Sequence, residues 1–195
     1  MLKNTKTAYG WISILLHWVM ALTIFGMFGL GLYMVELTYY DAWYKGSLDL
    51  HKSIGILLLG LLLVRTVWRW INISPDSADE HASKFEITSA HLVHLGLYLL
   101  MFTLMISGYL ISTADGRGIN VFEFFTVPAI PFSVDNQEDI AGEIHEILAW
   151  VLIVLAGVHA IAAIKHHFIN KNKTLVRMLK VQQTEKNNSS AFIGS

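Results

Sequence analysis

Four apolar runs dominate the chain, at residues 11–34, 48–70, 91–112 and 144–164. Each is close to the ~20 residues that carry an α-helix across a bilayer core, and polar segments separate them. The first run follows Lys3 and Lys6, as a secretory leader would, but it is longer than the usual stretch of about 7–15 apolar residues and lacks a small-x-small exit. It reads as a retained span. The second is interrupted near its end only by Arg65 and Arg69, whose long stems can snorkel to the interface. The connector at 72–89 holds Ser-Pro-Asp and Ser-Ala-Asp-Glu, which are turn and cap chemistry. Segment 113–142 opens with Asp-Gly-Arg-Gly and carries Phe122, Phe124 and Phe125 ahead of Pro128 and Pro131. That composition predicts a short amphipathic piece on the membrane interface. Beyond about Thr184 the chain is rich in Asn and Ser, which predicts a disordered tail over 184–195. The expected organisation is one four-span domain over 1–183 with an outer interfacial segment at 113–142, and no internal repeat.

Composition agrees with lipid as the solvent. Hydrophobic residues are 54% and charged residues 15% of the chain, against about 45–50% and 25% in an ordinary soluble domain. A net charge of −1 gives no basis for nucleic-acid binding, which rests on phosphate contacts. Cysteine is absent, so disulfides, thiolate iron–sulfur ligation, Cys-rich zinc sites and C-x-x-C-H haem attachment are excluded. Lys and Arg set the orientation, because positive residues are retained on the cytoplasmic side. Eleven of the fourteen fall on one side of the four-span arrangement, leaving Lys45, Lys52 and Arg117 on the other, where ten acids collect. Both termini are therefore expected inside.

Ionisable groups at membrane depth are uncommon and usually functional, which gives the nine histidines their interest. His17 lies shortly inside the first span, His51 near the outer start of the second, and the fourth carries both His145 and His159. Fourteen residues at 3.6 per turn are nearly four whole turns, a rise of about 21 Å. One helix face thus presents two ligands at two depths, His145 level with His51 and His159 level with His17. Opposed imidazoles with no carboxylate or thiolate between them suit a six-coordinate haem better than a hydrolytic zinc. Gly55, Gly142 and Gly157 would let a flat macrocycle approach the backbone. Against this, a single intramembrane His is as often a helix–helix hydrogen bond as a ligand; four matched by depth are harder to explain so.

His91 and His94 share a face near the inner end of the third span. They could line a quinone pocket, contact haem propionates or replace His17 opposite His159. His166 and His167 beside Lys165 suit a headgroup-facing cluster, and His81 a loop surface. His145-Glu146-Ile-Leu-Ala lacks the second His of a zinc-protease motif. Arg65, Arg69, Lys52 and Arg117 could pair with propionates, although topology is the commoner task of the first two.

At these residues the chain resembles the prokaryotic cytochrome b561 family, di-haem four-helix proteins of the bacterial inner membrane related to the cytochrome b subunits of hydrogenases and formate dehydrogenases. The resemblance runs from about Tyr9 to Leu179. It rests on Ile-Leu-Leu-His17-Trp18, His51-Lys52-Ser53-Ile-Gly55, Ala-His91-Leu-Val-His94-Leu, Glu143-Ile-His145-Glu146, Gly157-Val-His159-Ala and Asn-Lys-Thr-Leu-Val-Arg177-Met. It implies two non-covalent haem b groups, with His17 and His159 on the inner iron and His51 and His145 on the outer, and it breaks the tie over His91. Ser53, Lys52, Arg117 and His94 complete the expected cofactor-binding set.

The expected protein is an all-α membrane protein, a four-helix transmembrane bundle with two b haems and both termini cytoplasmic. It would relay single electrons between a periplasmic donor, with superoxide as one candidate, and membrane ubiquinone. A superoxide:ubiquinone oxidoreductase is the enzyme class this implies. The rivals are a membrane-anchoring cytochrome b subunit serving a dehydrogenase- or hydrogenase-type partner, and a non-redox helical protein with structural His. Expected partners are lipid, the quinone pool and a periplasmic redox protein or superoxide; a homodimer stays open. Few cations on an acidic outer surface argue against steering of an anion.

Overall fold

The structure is a computed structural model that describes residues 1–78, 82–130 and 134–180. The expectations for His81, Pro131 and the 184–195 tail lie outside the described residues. In chain order the elements are α1 (Trp11–Val35), α2 (Tyr44–Ile71), α3 (Lys84–Ser112), β1 (Ile119–Val121), β2 (Phe125–Val127), α4 (Gln137–Phe168) and α5 (Thr174–Leu179). The first four α-helices are each long and apolar enough to cross a membrane, and together they make the four-helix bundle that the apolar runs predict.

The helices outrun the apolar runs where capping chemistry allows. α3 starts about two turns early, because Ser83 Oγ accepts the Glu86 N–H at 3.2 Å and the Glu86 carboxylate accepts the Ser83 N–H at 3.0 Å. Such a cap is worth about 1 kcal/mol. It sits beyond the Ser-Ala-Asp-Glu stretch singled out in the sequence. α4 carries Glu138 and Asp139 in its first turn and Lys165, His166 and His167 in its last, the order that complements a helix dipole.

α1 packs on α2, α2 on α3 and α3 on α4, whereas α1 touches α4 sparsely and the backbones of α2 and α4 scarcely approach. Met20, Leu58, Leu62, Met101, Met105 and Leu152 form the buried core. Most other large apolar side chains face outward, among them Leu22, Leu92, Val154 and Ile161. Such a surface would aggregate in water and is the ordinary covering of a bundle solvated by lipid.

One end of the bundle gathers the N-terminal segment, the α2–α3 loop and α5. Asp76 N–H donates to Lys6 O at 2.8 Å, Arg177 Nη1 to Asp76 O at 2.8 Å and Trp18 Nε1 to Met178 O at 2.7 Å. These contacts define the proximal end. The distal end carries the β1–β2 hairpin, paired Ile119 with Val127, Asn120 with Thr126 and Val121 with Phe125. Ile119 and Val121 are buried and Asn120 is exposed, so the amphipathic piece expected there has a strand period of two. Ser53 straps the hairpin to α2, donating to Asn120 O at 3.4 Å and accepting from Phe122 N–H at 3.2 Å. Gly118 is required by close approach, since a Cβ there would lie 2.6 Å from Val127 O.

Candidate functional site

Because α4 is unbroken, His145 and His159 stand about 21 Å apart along it. Leu152, midway between them, is 2% exposed and fills the bundle between the two levels. At the distal level the His145 ring faces His51 of α2, with ring centroids 6.2 Å apart. At the proximal level His159 faces His17 of α1 at 6.3 Å. These rings meet across the two helix pairings whose backbones stay apart. A metal stands about 2 Å from an imidazole nitrogen, so two rings on opposite sides of one ion have centres roughly 6 Å apart. Both pairs fit that separation.

The surrounding polar atoms fit as well. His145 Nδ1 lies 2.9 Å from Leu104 O and 3.1 Å from Ser107 Oγ, and Ser107 Oγ itself donates to Leu104 O at 2.8 Å. Nδ1 therefore carries the proton and donates it, which leaves Nε2 with a free lone pair, the usual way a ligating His is oriented. Gly108 lets this ring in: a Cβ there would lie 3.0 Å from His145 Cε1. His51 Nδ1 is buried and finds no hydrogen-bond partner among the described residues, a condition that asks for an occupant or a reason. Gly142, one turn before His145, borders open space. No group of three or more His, Asp or Glu converges as a metal site among the described residues. A pair of imidazoles alone fits an ion whose remaining donors belong to a macrocycle.

The structure also places the other candidates. His94 packs its ring on His159 at 5.1 Å, edge to face, closer than two opposed ligands of one ion stand, as a third ring at the proximal level. His91 turns back to its own helix, with Nδ1 2.8 Å from Ile87 O. Arg65 points into the bundle, contacting His17 Nδ1, Leu16 O and Tyr98 Oη. Ser53 is engaged with the hairpin backbone. Arg117 is 86% exposed and paired with Asp115; the hydrogen bonds hold the Asp115 carboxyl below the usual carboxylate range and push the Arg117 guanidinium up. Lys52 adds a further favourable charge at Asp115. Sequence reasoning missed Leu104, Ser107 and Gly108, because a backbone acceptor has no side-chain signature and a Ser-Gly pair in a span reads as ordinary packing.

Residues 8–180 match the profile of the family described as Prokaryotic cytochrome b561. The chain belongs to that family. It is a multi-pass bacterial membrane protein of electron transfer, and cytochrome b561 membership implies haem b. Cytochrome b561 homolog 2 of Escherichia coli (strain K12) is 49% identical over 176 residues, covering 90% of this chain and 93% of that protein. The probable superoxide oxidase CybB of Yersinia pestis is 29% identical over 172 residues, covering 88% and 95%. Cytochrome b561 homolog 1 of Escherichia coli (strain K12) is 27% identical over 180 residues, covering 86% and 94%.

Proposed function

We propose that this cytochrome b561 carries two haem b groups, one between His17 and His159 and one between His51 and His145, and relays single electrons between a periplasmic donor and ubiquinone. The observation that carries the reading is the pair of opposed imidazole rings, 6.3 Å and 6.2 Å apart, repeated at two depths along one helix. Haem, when bound, supplies one-electron chemistry. The chain supplies the rest. His17 with His159 and His51 with His145 would hold the two groups, and a site held by two imidazoles would pass electrons without activating a substrate. Leu104 O and Ser107 Oγ hold the His145 ring, and Leu152, midway along α4 between the two His, lies in the buried apolar core.

The charge split along the sequence supports a cytoplasmic proximal end and a periplasmic distal end. The His51 level then lies towards the water-soluble donor, and quinone enters laterally from lipid. Superoxide is the donor that the name of the Yersinia relative points to. One observation favours the second reading, a membrane subunit for a protein partner: Arg117 is already spent on Asp115, so the distal surface offers an anion little attraction and a cationic protein more.

The test is haem quantification with a reduced-minus-oxidised spectrum on the purified protein, its His17→Ala form and its His159→Ala form. Two haems in the native chain and one in each variant, with the remaining haem spectrally intact, are expected. Loss of both, or of neither, from folded protein defeats the pairing.

A further inference from the structure

The two His levels differ in what stands behind the rings. At the distal level the neighbours of His145 are a carbonyl and a hydroxyl, and a carbonyl accepting from a ligating imidazole raises the basicity of that ring. At the proximal level the neighbour is a cation. Arg65 Nη2 lies 3.0 Å from His17 Nδ1, while Nη1 donates to Leu16 O at 3.3 Å and Nε to Tyr98 Oη at 3.0 Å. The Tyr98 ring further faces the Arg65 guanidinium at 5.8 Å and that of Arg69 at 5.6 Å. An arginine kept only for topology would extend to the interface. This one is turned inward, held by Leu16 O of α1 and Tyr98 Oη of α3 with its guanidinium against the His17 ring.

Resting on the two-haem reading, we propose that Arg65 is a positioning residue that makes the proximal site the electron sink of the pair, by holding a permanent positive charge against His17. The step it biases is transfer of one electron from the distal iron, which is oxidised, to the proximal iron, which is reduced; no bond or proton moves. A fixed cation stabilises the site that has gained the electron. Guanidinium stays protonated under all working conditions. Leu16 O and Tyr98 Oη keep the charge in place whichever nitrogen of the His17 ring bears a proton. At an effective dielectric near 20 and a separation of some 6 Å, one unit charge shifts a one-electron equilibrium by at least about tenfold. The distal carbonyl acts in the opposite sense, so the two arrangements add.

The experiment is an optical redox titration of the full-length, haem-loaded protein, alongside Arg65→Gln and Arg65→Lys. Haem content is counted in every sample, and the proximal signal is identified as the one missing in His17→Ala. In the native protein the proximal midpoint should be the higher. Arg65→Gln should lower it by about 59 mV or more, the one-electron equivalent of tenfold, with the distal midpoint unmoved, and Arg65→Lys should restore most of the loss. Two haems with an unmoved or raised proximal midpoint in Arg65→Gln overturns the proposal. If that variant loses its proximal haem, the native order decides: a proximal midpoint below the distal one overturns it, and one above supports it. A native protein without two haems defeats the two-haem reading itself, which is a separate result.

Discussion

Gly108 separates what holds the fold from what holds the distal site. A Cβ at this position would stand 3.0 Å from His145 Cε1 and 3.3 Å from Nδ1. Optimal carbon–carbon separations are about 3.5–4.0 Å, so in Gly108→Ala the ring must retreat by roughly 0.5 Å. It has little freedom to do so, since its Nδ1 lies 2.9 Å from Leu104 O and 3.1 Å from Ser107 Oγ, and a retreat of that size takes one or both beyond hydrogen-bonding range. Losing one such bond costs about 1 kcal/mol. The same substitution removes a glycine from a helix interior, which favours the helix by about 1 kcal/mol. Overall stability should therefore be nearly unchanged while haem retention at the distal level weakens about fivefold. Gly108→Leu, which puts a branched side chain where the ring stands, should empty that level and leave the proximal one intact. Helical content by circular dichroism, thermal unfolding in detergent and haem counting on both variants, with His51→Ala as the reference for a vacated distal site, read the two effects apart. Two haems with unshifted spectra in Gly108→Leu would refute the reasoning.

Other consequences follow from the distal strap and the charge pattern. Ser53→Ala removes both side-chain bonds to the hairpin, a loss of about 1–2 kcal/mol; amide exchange in β1 and β2 should accelerate while haem content holds, and unchanged exchange would show that buried Ile119 and Val121 suffice. Both termini should be cytoplasmic, so a reporter fused after Ser195 that works only in the periplasm contradicts the orientation. With superoxide as donor, rapid mixing should reduce haem at a rate only weakly dependent on ionic strength, because Asp115 offsets Arg117. Asp115 is a carboxyl with a lowered folded pKa, so its pairing is intact above the ordinary Asp value of about 4 and is lost only as pH falls through the depressed one. The weak salt response should then be the same from about pH 5 to pH 8, and a steep one within that range would mean that Arg117 is not neutralised.

Span number and the depths of the histidines follow from the sequence for a simple reason. A helix advances a fixed distance per residue, so an apolar run sets how many times the chain crosses, and fourteen residues between His145 and His159 set two levels on one face whatever surrounds them. Depth, however, is measured along a single helix. Which ring faces which depends also on how the helices are rotated and spaced, and tertiary packing alone sets His94 edge-on to His159 and His17 opposite it. The inward turn of Arg65 is of the same kind: its stem is long enough to reach either the interface or His17, and Tyr98 and Leu16 O decide between them. Leu104 O carries no residue identity, so no sequence pattern could have marked it as the acceptor for His145. The distal hairpin shows the same limit at short range. Its strands of three residues are too brief to impose a period, and they form because α2 offers Ser53 and a surface for Ile119 and Val121.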